Sequence, residues 1–272
     1  MSNLAQRVLT ALVGVPLVIG LMWWGGWPFA LLIAAIAAAA QFELYGLMNA
    51  GGARPLVAFG LLAGLTATLW PMLPPAPEVL AACVVLLPVL VMYTRRDAPL
   101  ADAAATAFGV LYPAGLASSI LLLRSSEAVW LGADGAFWIT TTILFCVWAS
   151  DTFAYAAGRL FGRTPLFERV SPKKTWEGSI GGAVGAFLLA AGFKLAVLDA
   201  TLTWFDVSVI AVASGMVSQL GDLAESHFKR SVGVKDSATW LPGHGGLLDR
   251  IDATVIAVPL VALYFEVTKG GL

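Results

Sequence analysis

Residues 204–230 have the sequence WFDVSVIAVASGMVSQLGDLAESHFKR, an apolar run that continues without a proline into an end rich in charged side chains. A membrane-spanning helix needs about 20 mostly apolar residues, and the segment 204–228 is long enough. Lipid offers no water to backbone N–H and C=O groups, so such a run must pair them internally as a helix. This stretch therefore predicts a spanning helix whose end presents polar and charged side chains.

The rest of the chain is equally apolar. Of its 272 residues, 59% are hydrophobic and 12% are charged, and the mean hydropathy is +0.83. Soluble domains have about a quarter charged residues. Eight further segments approach spanning length, at 8–25, 28–48, 55–74, 78–94, 104–123, 136–157, 178–198 and 251–267. We therefore predict an all-α, polytopic transmembrane bundle of about nine helices. Residues 1–135 would hold about five of them, and residues 136–272 the others with the active site.

Lysine and arginine in the connections indicate the orientation, because cytoplasmic loops are enriched in them. With nine helices and a cytoplasmic N-terminus, thirteen of the sixteen basic residues lie on the cytoplasmic side. The polar connections 158–177 and 229–250 then face the cytoplasm, and long polar connections usually carry function. Short loops and the absence of a targeting tail favour a bacterial inner membrane. The net charge of -1 does not suggest a nucleic-acid partner.

The end of the 204–228 segment gathers polar side chains on one helix face. Asp222, Glu225, Ser226 and Lys229 follow at i, i+3, i+4 and i+7. Carboxylates near membrane depth are costly without a partner or a water-filled cavity, so Asp222 is a candidate site residue. The alternative is a helix-end salt bridge such as Glu225 with Lys229, which gives no reason for the serine and the second carboxylate.

A second candidate follows, with KD at 235–236 and PGHGGLLDRID at 242–252. Its glycines let the backbone approach a ligand closely, and exposed N–H groups in such a turn can hold phosphate oxygens. Asp249 and Asp252 are predicted to open the last helix. Acidic residues also suit a helix N-terminus for electrostatic reasons, but this alternative does not explain the adjacent His244 and Arg250. His244 either contacts a phosphate or only stabilises the turn.

These two candidates together offer ligands for a metal ion and for phosphates. Mg²⁺ takes carboxylate oxygens and substrate phosphates together, and Asp222, Asp249 and Asp252 could supply the carboxylates from two helices. Four basic side chains would neutralise phosphate charge. They are Lys229, Arg230, Lys235 and Arg250.

A third candidate is SPKKTWEG at 171–178. Lys173 and Lys174 stand beside a hydroxyl at a predicted helix start and could clamp a phosphate, although lysines also flank spanning helices as topology signals. Asp151, in DTFAY, lies towards the end of another predicted spanning helix, where a carboxylate is a functional candidate. Its spacing leaves open whether it binds metal, holds a lysine or contacts a nucleotide ribose.

Residues 226–252 resemble the signature of the phosphatidate cytidylyltransferases, also called CDP-diacylglycerol synthases. The signature stands here as SHFKR at 226–230, KD at 235–236 and LPGHGGLLDRID at 241–252, without a departure across these 27 positions. The segments 151–155 and 171–178 are also similar to that family. The resemblance is detailed from Trp148 onward, whereas the first five predicted helices match only in being hydrophobic.

The resemblance implies that a phosphate oxygen of phosphatidate attacks the α-phosphorus of CTP, giving CDP-diacylglycerol for phospholipid biosynthesis and releasing pyrophosphate. A site rich in Asp, Lys and Arg suits this reaction, because phosphoryl-type transfer depends on positioning and charge neutralisation. Catalytic roles then fall to Asp222, Asp249, Lys229 and Arg230. Substrate contacts fall to Lys173, Lys174, Ser226, Lys235, His244, Arg250 and Asp151. Mg²⁺, with a second cation in a two-metal arrangement, falls to Asp222, Asp249 and Asp252. A homodimer in the lipid bilayer is also implied.

Two other functions compete with this hypothesis. A membrane phosphotransferase acting on a lipid or polyprenol would share the metal and phosphate groups but not the signature. A transporter would bind ions at the membrane midplane through buried Asp and Lys, between paired broken helices. The sequence lacks such paired interruptions, and its polar groups cluster at one end of the predicted bundle, which favours an enzyme.

Overall fold

The computed structural model describes residues 3–94, 97–132, 134–238 and 245–272, with side chains from residue 12 onward. Within these ranges the chain forms helices α1–α12 and a short hairpin, β1–β2. The helices are α1 Asn3–Trp24, α2 Gly26–Ala50, α3 Val57–Leu69, α4 Ala76–Tyr93, α5 Pro99–Gly109, α6 Leu116–Ser125, α7 Gly135–Phe161, α8 Trp176–Val197, α9 Trp204–Val212, α10 Ser218–Ser231, α11 Leu248–Ile251 and α12 Thr254–Lys269.

Six helical stretches in the described part of the chain are long and apolar enough to cross a membrane. They are Gly26–Ala50, Ala76–Tyr93, Pro99–Ser125, Gly135–Phe161, Trp176–Val197 and Trp204–Ser231, with shorter apolar helices at Leu12–Trp24 and Val57–Met72. The prediction of an all-α integral membrane protein is thus confirmed. The count of nine crossings and the cytoplasmic N-terminus stay predictions, and two of the arginines used for orientation, Arg95 and Arg96, lie outside the described residues.

The polar connection between α7 and α8 contains the β-hairpin, which the sequence analysis did not predict. β1, Pro165–Phe167, pairs antiparallel with β2, Ser171–Thr175. Thr175 ends the hairpin and caps α8, because its Oγ1 accepts a hydrogen bond from the Gly178 N–H at 3.1 Å. Threonine is a favoured N-cap residue. The lysines of the SPKKTWEG segment therefore lie on a strand immediately before α8.

The chain divides into two compact units. Unit 1 contains Met1–Leu121 and Phe228–Ile251, and unit 2 contains Leu122–His227 and Asp252–Leu272. In unit 1, the buried Tyr45 hydroxyl donates a hydrogen bond to the Thr106 carbonyl at 2.8 Å. A Cβ at Gly60 or Gly109 would overlap the Tyr45 ring, so these glycines let α3 and α5 approach α2 closely.

In unit 2, small residues bring α7 and α8 together. A Cβ at Gly182 would lie 2.7 Å from Ser150 Oγ, and that hydroxyl donates to the Gly215 carbonyl at 3.1 Å. Gly215 lies in a π-helical turn, Ala213–Val217, between α9 and α10. Such turns are frequent at functional sites, because the extra residue changes the direction of the side chains that follow. Here the turn leads directly into α10, which carries Asp222.

The C-terminal helices differ from the single last helix predicted over 251–267. α11 ends at Ile251 and α12 begins at Thr254. In the turn between them, Asp252 Oδ1 accepts a hydrogen bond from the Ala253 N–H at 2.7 Å. Aspartate side chains compete with helical hydrogen bonds in this way, which explains the interruption. Asp249 therefore lies in α11, and Asp252 in the turn.

Candidate active site

Unit 2 contains a cavity of about 410 Å³. Its lining comes from α7, from β2 and the start of α8, and from α10. The lining residues are Asp151, Ala154, Tyr155, Gly158, Arg159, Lys173, Lys174, Thr175, Gly178, Ser179, Gln219 and Asp222. Four residues predicted as site residues in three separate segments thus line one cavity, namely Asp151, Lys173, Lys174 and Asp222.

Lys174 and Asp222 form an ion pair within this cavity. Lys174 Nζ lies 2.5 Å from Asp222 Oδ2, and the two side chains are 26% and 38% exposed. Ser226 Oγ donates a hydrogen bond to the other carboxylate oxygen, Oδ1, at 3.2 Å. Since both members of the pair remain accessible, an incoming phosphate can reach the ammonium group. The i, i+4 spacing of Asp222 and Ser226 on α10 accounts for their contact.

Three carboxylates of unit 2 lie close together, two on α10 and one in the turn before α12. One oxygen from each of Asp222, Glu225 and Asp252 lies within 4.8 Å of the other two. Glu225 and Asp252 are buried. α10 comes this close to the Asp252 turn because Gly221 has no side chain, as a Cβ there would overlap the Asp252 carbonyl. Like charges at this separation favour a cation between them, and carboxylate oxygens suit a hard divalent ion.

Lys229 and Asp249 form a second ion pair, in unit 1. Lys229 Nζ lies 2.5 Å from Asp249 Oδ1, and the side chains are only 9% and 7% exposed. Asp249 Oδ2 accepts hydrogen bonds from the Gly246 N–H at 2.8 Å and from the Ser237 N–H at 3.2 Å. A buried ion pair is stable only when further hydrogen bonds satisfy the charged atoms, and Ser237 and Gly246 supply them here.

Glu43, in the middle of α2, is a site residue that the sequence analysis missed. It is 4% exposed, and its Oε1 accepts a hydrogen bond from the Leu247 N–H at 2.9 Å. Its Oε2 accepts from the Leu248 N–H at 2.9 Å and from Ser237 Oγ at 2.7 Å. One feature of the sequence could have identified Glu43. It is a carboxylate inside the apolar run 28–48, and such residues usually serve a function.

The glycines of the signature have separate structural reasons. Gly245 has a φ of +77°, a left-handed conformation that side chains disfavour. Gly246 has no such φ, but a Cβ there would overlap Ser237 Oγ and Glu43 Oε2. Gly245 is thus required by its backbone conformation and also by packing, because a Cβ there would lie 2.6 Å from Asp249 Oδ2, whereas Gly246 is required by close packing alone.

The remaining predicted site residues are less enclosed. Arg230 is exposed, and its Nη1 donates to the Val234 carbonyl at 2.7 Å, which closes the turn after α10. Lys235 and Arg250 are also exposed. His244 lies outside the described residues. The carboxylates predicted to bind metal are distributed differently from the prediction, because Asp222 and Asp252 are grouped with Glu225, while Asp249 is paired with Lys229. The roles of all these residues stay predictions.

Comparison with known proteins gives the family. The family model described as "Cytidylyltransferase family" matches residues 5–268. A phosphatidate cytidylyltransferase of Brucella abortus is 38% identical over 275 residues, which cover 97% of this chain and 94% of that protein. One from Synechocystis is 33% identical over 292 residues, covering 96% of each chain. A chloroplastic phosphatidate cytidylyltransferase of Arabidopsis thaliana is 32% identical over 312 residues, covering 97% of this chain and 74% of its own length. Because the family match and the alignments extend over nearly the whole sequence, this chain belongs to the cytidylyltransferase family.

Proposed function

We propose that this protein transfers the cytidylyl group of CTP to phosphatidate, giving CDP-diacylglycerol and pyrophosphate for phospholipid biosynthesis. Relatives that are named for this activity align with the chain over most of their length. The observation that supports it most directly in this chain is the unit 2 cavity, which is lined by Lys173 and Lys174 from β2 and by Asp151 and Asp222. A membrane protein with such a polar cavity suits one soluble anionic substrate and one lipid substrate.

The reaction requires little covalent chemistry from the protein. The phosphate monoester of phosphatidate is already ionised, so one of its oxygens attacks the α-phosphorus of CTP without a general base. A new P–O bond forms there, the bond to the β-phosphate oxygen breaks, and pyrophosphate carries away the negative charge. Positioning and charge neutralisation make up most of the catalysis in reactions of this type. This explains why the site is rich in Asp, Lys and Arg and poor in His.

The lysines of β2 are assigned to the phosphates of the substrates. Lys173 is exposed at the cavity and Lys174 is half-buried against Asp222, so both ammonium groups are within reach of a ligand in the cavity. Ser226 lies on the same face of α10 as Asp222 and can donate a hydrogen bond to a phosphate oxygen. Lys229, Arg230, Lys235, Arg250 and His244 complete the proposed set of phosphate contacts, and charge-assisted hydrogen bonds of this kind are about twice as strong as neutral ones.

A divalent cation fits the carboxylates of unit 2. In an octahedral Mg²⁺ site with bonds of about 2.1 Å, ligand oxygens lie about 3 to 4 Å apart. The oxygens of Asp222, Glu225 and Asp252, within 4.8 Å of one another, need to move only slightly to reach that spacing. We propose that these three hold Mg²⁺. Asp249, the other carboxylate predicted to bind metal, stays a proposed ligand of a second cation. When bound, the ion would stabilise negative charge on the phosphates.

The orientation of the enzyme in the membrane is proposed from the distribution of lysine and arginine. We propose nine membrane crossings, a cytoplasmic N-terminus and an active site open to the cytoplasm, where CTP is dissolved. The asymmetry of lysine and arginine between the connections supports this orientation. The relatives include bacterial proteins, and we propose the bacterial inner membrane as the location. The homodimer is proposed from the family resemblance alone.

The proposed reaction can be separated from other phosphotransfers by the position of a label in CTP. Purified protein in detergent with phosphatidate and Mg²⁺ should move label from the α-phosphate of CTP into the lipid extract. Label on the γ-phosphate should stay in the aqueous phase. Transfer of the γ-label instead would indicate a lipid or polyprenol kinase, and flux across proteoliposomes without any turnover would indicate a transporter.

A further inference from the structure

We propose that Glu43 is a positioning residue of this enzyme, which acts on Asp249 through Ser237 and the backbone of residues 246–248. The proposal rests on the cytidylyl transfer proposed above. Glu43 lies on α2, far from the signature in sequence, and it binds residues on both sides of the segment 239–244. It thus binds described signature-region residues on both sides of that segment.

The contacts of Glu43 require a carboxylate. All three of its partners are donors, namely the N–H groups of Leu247 and Leu248 and the hydroxyl of Ser237. A carboxylate offers two acceptor oxygens and no donor, so each partner is satisfied. Burying this charge within an apolar helix would be costly without them, since an isolated buried carboxylate is strongly disfavoured. A residue needed only to fill space on α2 would not carry that charge.

Ser237 connects Glu43 to Asp249. Its Oγ lies 2.7 Å from Glu43 Oε2 and 3.1 Å from Asp249 Oδ2. A hydroxyl has one hydrogen and donates to one acceptor at a time, and the shorter distance favours Glu43. Asp249 Oδ2 then depends on the N–H groups of Ser237 and Gly246. Because Glu43 anchors residues beside both of these N–H groups, it determines where they lie and therefore how Asp249 faces Lys229.

The isosteric change Glu43→Gln tests this role. The amide nitrogen cannot accept, so at least one of the three hydrogen bonds is lost and a donor faces a donor. We expect kcat for cytidylyl transfer to fall about 10- to 100-fold, as it does when outer-shell partners of a site are removed. The KM for CTP should change by a smaller factor than kcat, because the proposed contacts of Lys173 and Lys174 on β2 are untouched.

Gln41→Met is the matched control, since Gln41 is a buried polar residue of the same helix. Its Nε2 donates to Tyr45 OH and to the Gly60 carbonyl, both at 2.8 Å, so the substitution removes buried hydrogen bonds elsewhere in unit 1. We expect Gln41→Met to lower the thermal stability in detergent but to keep kcat. If both variants lose kcat in proportion to their loss of stability, Glu43 only supports the fold and the proposal is overturned.

A double-mutant cycle with Ser237→Ala tests the connection itself. Residues that act through one another give non-additive effects. We expect Ser237→Ala to lower kcat, and the double variant to be no less active than Glu43→Gln alone. Fully additive losses would contradict the proposal. If Glu43→Gln does not fold, Ser237→Ala decides by itself, because wild-type kcat in that variant would overturn the connection.

Two further observations keep this proposal separate from the proposed function. The wild-type protein in the same assay reports whether cytidylyl transfer occurs at all. Hydrogen exchange at the Gly246 and Leu247 amides reports the loop independently of turnover, and we expect faster exchange in Glu43→Gln than in Gln41→Met. An active wild type with unchanged exchange and unchanged kcat in Glu43→Gln would overturn the positioning role while leaving the proposed function intact.

Discussion

Lys174 Nζ lies 2.5 Å from Asp222 Oδ2. This ion pair connects β2 to α10, the helix that contains the first residues of the signature. These two residues are 48 positions apart in the sequence. Both side chains remain partly exposed in the cavity, so the pair is accessible to a charged ligand. Surface-accessible ion pairs are worth only about 0 to 1 kcal/mol, which makes a role in stability a weak explanation for this one. A lysine held by a carboxylate is instead ready to bind a phosphate.

Lys174→Gln should therefore act on substrate binding. We expect the KM for CTP to rise about tenfold, because a charge-assisted contact to phosphate contributes roughly 1.5 to 3 kcal/mol and water replaces part of it. Arg169→Gln is the control, as it removes one positive charge from an exposed position of the same hairpin. A steady-state titration of CTP on both variants checks this. An equal rise in both would mean that only the general field of the hairpin matters.

The Lys229–Asp249 pair should show both a catalytic and a structural effect. Asp249→Ala is expected to abolish turnover while the protein still folds in detergent, at a cost of about 3 to 5 kcal/mol because the buried Lys229 loses the carboxylate of this ion pair. The double variant Lys229→Met/Asp249→Leu should recover part of that stability without recovering turnover; the recovery is only partial because the N–H groups of Ser237 and Gly246 still lack their acceptor. Thermal unfolding and label transfer on the same samples measure the two effects. Near-normal activity in Asp249→Ala would overturn its catalytic assignment.

Alanine at either of the signature glycines Gly245 and Gly246 should lower kcat. Gly245→Ala forces a side chain into a left-handed conformation, at a cost of about 1 to 2 kcal/mol, and places its Cβ 2.6 Å from Asp249 Oδ2, so it should also displace that carboxylate. Gly246→Ala places its Cβ against Ser237 Oγ and Glu43 Oε2, so it should displace those groups and lower kcat through packing alone. Gly52→Ala is a control for backbone strain, because Gly52 has a φ of +93° and open space around it. Equal kcat in Gly246→Ala and Gly52→Ala would refute the packing argument.

Metal dependence should be traceable to the carboxylates of unit 2. Chelation with EDTA is expected to stop turnover and Mg²⁺ to restore it. Glu225→Gln should raise the Mg²⁺ concentration for half-maximal rate about tenfold or more, because it removes one proposed ligand. Glu127→Gln, which changes an exposed carboxylate, serves as the control. Identical Mg²⁺ titrations for these two variants would contradict the proposed ligand set.

The sequence predicted the helices well because each apolar run must pair its own backbone groups in lipid. It also selected Asp151, Lys173, Lys174 and Asp222, since polar residues stand out in an apolar chain. It missed the β-hairpin, where three- and five-residue strands in a polar connection leave no periodic apolar pattern. Strand pairing there depends on backbone partners that composition does not reveal.

The grouping of the carboxylates also could not be predicted from the sequence. The i, i+3 spacing of Asp249 and Asp252 predicted a shared helix, but the Asp252 side chain bonds to the Ala253 N–H and a turn separates α11 from α12. Glu43 was missed for a different reason. Its partners lie about two hundred residues later in the chain, and only the folded structure brings them together.

The central claim is that the unit 2 cavity carries out cytidylyl transfer, and Asp222→Asn tests it most directly. Wild type, Asp222→Asn and Asp199→Asn would be compared in proteoliposomes with phosphatidate, Mg²⁺ and CTP labelled at the α-phosphate. Asp199 is the matched control because it pairs with Lys194 at 2.7 Å. We expect label in the lipid of wild type and Asp199→Asn, and a loss of about 100-fold or more in Asp222→Asn. Lipid labelling by Asp222→Asn at the wild-type rate would contradict the assignment of catalysis to this cavity.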